Sequence, residues 1–424
     1  MPLVDYQTEM ERCSQCTYCE WIPFDQMKSW RFAKGCPSIS YNRFLSYSAR
    51  GRLGVALSLL KGRSTYTDKV LDIVYKCQTC GSCDVSCKVC RYNLEPLETI
   101  LQLRATLVED GQVLPQHTEV INSLSKEHNT MLKPKAERGK WAEGLDVKRL
   151  TTDKAEVVFH AGCHYSYDEE LQKVARTAVT LLKNAGVDIG IMGEEEGCCG
   201  GRVFQMGYRE EFTRSAESNI EAWTKAGVKK VVTSCSDCYY AFKRLYPNRV
   251  GSNFEVLHTV EYIDQLIKEG KLKLTKTIPM TITYHDPCHL GRQGEPYLPW
   301  DGKEKKIRNQ IVVYEPRKPR YNGAWGIYDP PRDVLKSIPG IELVEMERIR
   351  EYAWCCGAGG GVREAYPEFS NWTATERIEE AKTTGAEAIV SACPWCERNF
   401  IDAINTMGDG MKVFDVVELV QQAI

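Results

Sequence analysis

From about residue 155 onward, short apolar runs alternate with amphipathic stretches. Val157-Val-Phe-His, Lys230-Val-Val-Thr-Ser, Ile282-Thr-Tyr-His and Ala388-Ile-Val-Ser-Ala are β-branched or aromatic and of strand length, so each predicts a buried strand. Residues 215–225 and 373–383 predict helices, each followed by a glycine, Gly227 or Gly385, that can stop it. Residues 260–268 and 416–422 predict closing helices. Strands alternating with helices imply parallel sheets covered by helices, an α/β fold.

The order occurs twice, so this part is an internal duplication. Val157–His164 lies on Ile282–His289, and each helix, glycine, strand and closing helix finds its counterpart. The first copy is expected over 155–275 and the second over 276–424. The second carries an insertion at 295–328, rich in Pro, Arg, Tyr and Trp. That composition predicts a loop, placed at the rim of a cleft between the copies where it selects what enters. Residues 1–110 show little strand character, and 53–60 and 97–108 predict helices. Residues 111–154, with Pro115, Pro134, Gly139 and a charged stretch at 133–140, suit a solvated linker with short helices.

Cysteine changes the picture most. All but one of the 19 cysteines, Cys90, fall into two kinds of pattern. Cys13-x2-Cys16-x2-Cys19 with Cys36-Pro37, and Cys77-x2-Cys80-x2-Cys83-x3-Cys87, are runs that fold a backbone around a cubane [4Fe–4S] cluster. In two-cluster ferredoxins the fourth cysteine of each run serves the other cluster. The expected sets are therefore Cys13, Cys16, Cys19 and Cys87, and Cys77, Cys80, Cys83 and Cys36. Lys88 stands where a proline should follow Cys87, which leaves Cys90 as an alternative to Cys87. Structural zinc would pair two C-x2-C knuckles, whereas each run here has three evenly spaced cysteines.

Each repeat contributes five more: Cys163, Cys198-Cys199-Gly200 and Cys235-x2-Cys238, then Cys288, Cys355-Cys356-Gly357 and Cys393-x2-Cys396. Adjacent cysteines in an extended chain point to opposite sides. Both can face one centre only if the backbone turns sharply, which a glycine at positive φ permits. The glycine-rich stretches match neither a phosphate loop nor a dinucleotide fingerprint.

This spacing resembles the signature of the CCG, or cysteine-rich, domain of heterodisulfide reductases. Two copies behind a two-cluster helical ferredoxin module resemble that family's fused catalytic subunit. The resemblance implies two cubane clusters in the N-terminal module and two noncubane [4Fe–4S] clusters, four in all. One noncubane cluster is implied on Cys163, Cys198, Cys199, Cys235 and Cys238, the other on Cys288, Cys355, Cys356, Cys393 and Cys396. It further implies that the noncubane pair grips and splits a disulfide, the expected thiol/disulfide substrate. Relatives of the same architecture resemble relay subunits of benzoyl-CoA reductase, sulfate-respiration and hydroxy-acid oxidase complexes, which gives the alternative of a pure electron relay.

His164 and His289 each follow a ligand cysteine and are candidate catalytic groups, as donors of a proton to a leaving thiolate or partners of a cluster sulfur; capping and packing is the competing reading. His160 and His285 fit packing better. Arg202, Arg317, Lys318 and Arg320 are candidates for an anionic thiol cofactor, or simply solvated charge.

With 55 basic and 57 acidic residues the formal net charge is −2, giving no basic surplus for nucleic acid. An odd cysteine count in C-x2-C pairs argues against a disulfide framework. No apolar leader opens the chain, and no run of about 18 apolar residues spans a membrane. A reducing cytoplasm is expected, with membrane association only through a partner subunit. Without a flavin or nicotinamide motif, electrons must come from or go to a flavoprotein, a membrane cytochrome or a catalytic reductase.

Overall fold

The computed structural model describes residues 2–89, 93–308 and 311–424. The N-terminal module is helical. Its longest helix, Pro96–Glu109, starts on a proline whose fixed φ suits the first turn, and buries Leu97, Ile100, Leu101, Leu103 and Leu107. A second helix, Ala49–Leu60, is capped by Ser48, whose hydroxyl accepts the Gly51 N–H.

The first repeat forms a parallel sheet of β1 (Lys148–Arg149), β2 (Val157–Phe159), β3 (Ile189–Ile191), β4 (Lys230–Thr233) and β5 (Glu255–His258), in the order β1-β3-β2-β4-β5. The second contains β6 (Met280–Tyr284), an antiparallel hairpin of β7 (Lys303–Ile307) and β8 (Ile311–Glu315), then β9 (Ile341–Leu343), β10 (Ala388–Ser391) and β11 (Lys412–Asp415). Its parallel sheet runs β11-β10-β6-β9, the order of the first sheet without β1. Every residue of the central strands β2 and β10 is buried, because helices cover both faces.

The duplication extends to capping. Both closing helices, Thr259–Lys268 and Val416–Ala423, begin with a capping box, His258 with Glu261 and Asp415 with Glu418. One apolar core runs through both repeats and takes in Leu97 and Leu101 of the N-terminal module.

Two stretches depart from their expected irregularity. Residues 111–154 carry the helix Pro115–Glu127 and β1, the edge strand of the first sheet. The insertion, expected as a loop at a cleft rim, contains the β7–β8 hairpin, and its contacts hold the N-terminal module. Arg12, next to Cys13, bonds the Tyr314 hydroxyl and lies 3.6 Å from Glu304; Lys318 pairs with Glu9 at 3.0 Å, and the Tyr297 hydroxyl donates to Glu95 at 3.2 Å. Alternating side chains across a paired ribbon were hidden from the pattern because β7 is exposed along its whole length.

Arg104 ties the three parts together. Fully buried, it donates to Cys77 O at 2.6 Å in the N-terminal module, Gln205 O at 3.0 Å in the first repeat and Gly360 O at 2.7 Å in the second.

Candidate metal centres

In the N-terminal module Cys13, Cys16, Cys19 and Cys87 line one cavity, with Arg50, Leu53, Leu94 and Pro96. Cys36, Cys77, Cys80 and Cys83 line a second, with Ser38, Arg52 and Thr79. Each cavity gathers three cysteines of one run and the last cysteine of the other. Lys88 is buried and its Nζ donates to Leu94 O, so the position after Cys87 is anchored by a side chain. Cys90 lies outside the described residues. Cys16 is exposed, unlike the other described cysteines.

In the first repeat Cys163 contacts Cys198, Cys198 contacts Cys199, and Cys199 reaches Cys238, which pairs with Cys235. In the second, Cys288 contacts Cys355, Cys355 contacts Cys356, Cys356 reaches Cys396, and Cys396 pairs with Cys393. The turns work as anticipated. Gly200 has φ +74° and Gly357 φ +99°, and a Cβ on Gly357 would stand 2.4 Å from Ser370 O. The turns also aim Gly200 N–H at Cys198 Sγ (3.4 Å) and Gly357 N–H at Cys355 Sγ (3.3 Å). Amide hydrogens on sulfur are a means by which proteins set iron–sulfur potentials. Hydrogen bonds from Cys198 and Cys238 hold the Cys199 thiol down to about 5 against burial, and Cys355 and Cys396 hold Cys356 well below its ordinary value. Converging soft thiolates with amide donors on them fit an iron–sulfur centre.

The two knots meet. Cys235 touches Cys393 across the repeats, and Cys80 of the N-terminal module touches Cys355.

The histidines divide. His289 Nδ1 bonds Asp237 Oδ1, and its ring stacks on Tyr240 with centroids 4.8 Å apart. Burial opposes its protonation, but the charges of Cys288 and Asp237 prevail and raise it to about 10. Gln205 Nε2 sits 2.9 Å from Nε2 of the ring. Gln205 Oε1 already accepts the Gly360 N–H (3.1 Å) and the Thr79 hydroxyl (2.9 Å), so its amide must donate to the ring. Gln205 thus favours a neutral ring and the charges of Cys288 and Asp237 a doubly protonated one; in both states Nδ1 carries the proton that Asp237 accepts. His164 is buried, 3.6 Å from Asp168 and edge-on to Trp395, and burial holds it down to about 4. His160 packs against Trp223 and Phe242. His285 packs edge-on against Phe400 and also lies within 4.8 Å of the Cys356 and Cys396 sulfurs, with Arg377 Nε on its Nδ1 at 3.1 Å.

Sequence reasoning missed Arg138, Asp237, Gln205 and Arg292. Arg138, from the presumed linker, is fully buried, with Nη1 3.5 Å from Cys163 Sγ and Nη2 paired to Glu196 at 2.9 Å. No motif marks such residues, since only folding brings them to the sulfur. Of the basic candidates, Arg202 is engaged by Glu364 at 2.7 Å and lies over Trp395, and Lys318 by Glu9.

A cysteine-rich (CCG) domain family matches residues 157–243 and 282–401, and a 4Fe-4S dicluster domain family matches 9–90. The dihydromethanophenazine:CoB–CoM heterodisulfide reductase of Methanosarcina mazei has a subunit that is 32% identical over 427 residues, 98% of this chain and 94% of that protein. The chain belongs to the family of that heterodisulfide reductase subunit. As a member it is an iron–sulfur oxidoreductase subunit. The EtfAB:quinone oxidoreductase of Syntrophomonas wolfei is 29% identical over 83% of this chain and 47% of that protein. A hypothetical protein from Helicobacter pylori shares the fold, with a TM-score of 0.56 at 11% identity over 89% of this chain and 67% of that one. No described helix is long and apolar enough to cross a membrane.

Proposed function

We propose that this family member holds four [4Fe–4S] clusters and reduces a disulfide between its two CCG sites. Cys13, Cys16, Cys19 and Cys87, and Cys36, Cys77, Cys80 and Cys83, would hold cubane clusters; the five cysteines of each CCG knot would hold a noncubane one. When bound, these clusters supply single electrons. The observation that carries the reading is the Cys235–Cys393 contact, which sets the two knots against one another, so one disulfide can face both. Cleavage takes two electrons and two protons and yields two thiols. Of the two proposed proton donors, His164 and His289, which each follow a ligand cysteine, His289 is the favoured one: it bonds Asp237 and holds its proton, whereas burial keeps His164 unprotonated near neutral pH. The relative from Methanosarcina mazei, named for the CoB–CoM heterodisulfide, makes a disulfide of that class the first substrate to try.

A pure relay has one observation in its favour. Every CCG cysteine except Cys288 is buried, and a relay needs no path for substrate. In either case a further redox subunit must exchange electrons with the chain, and any membrane attachment would come through it. The proposed division is 1–110, 111–154, 155–275 and 276–424.

The test is anaerobic turnover of the CoB–CoM heterodisulfide and a panel of other small disulfides, with reduced benzyl viologen as donor. Thiol release is expected from protein holding about sixteen irons per chain. Full iron with no thiol release from any disulfide leaves the relay.

A further inference from the structure

At the joint between the N-terminal module and the second CCG knot, where Cys80 touches Cys355, stands a buried cation. Arg292 is 6% exposed. Its Nε donates to Cys80 O at 2.7 Å, and its Nη1 donates to Glu351 O at 2.7 Å and Ala353 O at 2.8 Å. These bonds go to carbonyl oxygens, so no carboxylate neutralises the guanidinium among the described residues. The groups its charge faces are the sulfurs of Cys80, Cys288 and Cys355 and the Tyr328 phenol.

The duplication gives an internal control. Arg292 is four residues after Cys288, and the equivalent residue of the first copy, four after Cys163, is Tyr167. The first knot takes its cation from outside the repeat. Arg138 lies over the Tyr167 ring at 5.9 Å and reaches Cys163 Sγ, but Glu196 pairs with it at 2.9 Å. Arg138 is neutralised by Glu196 and meets Cys163; Arg292 is bare and stands where the second N-terminal site meets the second knot.

We propose that Arg292 is a positioning residue whose fixed charge is shared between the Cys80 and Cys355 thiolates, so that the second N-terminal site and the second CCG site are reduced as a coupled pair. The proposal rests on the ligand assignment above. Each electron delivered by an external one-electron donor adds a negative charge to one of these sites. A bare guanidinium in a low-dielectric interior offsets that charge strongly, and it does not lose its proton. Arg138, already paired, offsets less and at the other knot only.

The experiment is a dithionite titration, monitored by electron paramagnetic resonance, of the anaerobically purified full chain and of R292Q, R292K and R138Q. In R292Q the midpoints of both the second N-terminal site and the second CCG site should fall. In R292K, which keeps the charge and loses the fork, both should stay near those of the unaltered chain, and R138Q should leave these two sites alone. Should R292Q not retain iron, R292K with unaltered midpoints still supports a charge role, because a purely structural role predicts damage in both. Unchanged midpoints in an iron-replete R292Q, a shift at the CCG site alone, or loss of iron from R292Q and R292K alike would each overturn the proposal. Iron near eight per chain in the unaltered protein, by the ligand count, would instead overturn the ligand assignment on which it rests.

Discussion

The sulfurs of Cys235 and Cys393, one from each repeat, are in contact. Beside them the Ser236 hydroxyl donates to Ala392 O at 2.7 Å. Both cysteines follow the C-terminal ends of central strands, β4 and β10. Ligands gather at the carboxyl ends of strands in open α/β sheets. Here the two such ends face one another, and under the proposed function they would form a single reaction zone from two copies of one motif.

Replacing Cys199 or Cys356 by serine should therefore remove one knot and with it the reduction of a disulfide. Iron should fall by about four per chain, while the N-terminal sites stay reducible by dithionite. Iron and acid-labile sulfide analysis beside a turnover assay checks this. Retained turnover in either variant contradicts a shared substrate.

Asp237 holds the His289 ring from the opposite repeat, so Asp237→Asn keeps an acceptor and removes a charge. Disulfide reduction should fall about 10–100-fold, the usual cost of losing such a partner. The alkaline limb of the pH–rate profile should move to lower pH, because His289 loses the charge that raises its proton affinity and so gives up its proton earlier as pH rises. A uniform loss at every pH would point to packing instead.

His117 is held down to about 4 by burial, with Nε2 3.0 Å from Gly361 O. Above its unfolded value near 6.5, both states are neutral and the residue adds no pH dependence. As pH falls from 6.5 toward 4 the unfolded chain takes up a proton that the folded chain refuses, so stability is lost in that window. At pH 5.0 the loss is about 2 kcal/mol. His117→Gln can still donate to Gly361 O, and its urea midpoint should drop less between pH 7.5 and pH 5.0 than that of the unaltered protein. Equal drops would assign the acid sensitivity elsewhere.

Trimming the β7–β8 hairpin to a short glycine–serine turn removes the Arg12 contacts with Tyr314 and Glu304. The site lined by Cys13 should then lose iron faster in air, while spectra of the CCG sites are unchanged. Altered disulfide preference with an intact N-terminal site would restore the insertion to the cleft rim.

Much of this was legible before folding because it is local. A C-x2-C pair after a strand, or Cys-Cys-Gly at a tight turn, needs only a few dihedral angles to bring sulfurs together. Gly200 and Gly357 adopt the positive φ their position demands. The strand beginning at Val157 and the helix ending at Lys225 were likewise written in apolar periodicity. Duplication then made each reading count twice. The hairpin and β1 were missed for the opposite reason: an exposed ribbon and a two-residue edge strand bury too little to leave a pattern.

The sequence by itself determined the cysteine inventory, its division into two ferredoxin-type runs and two CCG copies, and the α/β class of those copies. Short-range geometry and side-chain period decide such things. Only the tertiary structure decided which knots touch, that Arg138 from 111–154 reaches Cys163, that Asp237 holds His289 and that Arg292 stands between Cys80 and Cys355. Those contacts join residues tens to hundreds apart in the chain. Their positions follow from how sheets and helices pack, and packing leaves no mark in local spacing.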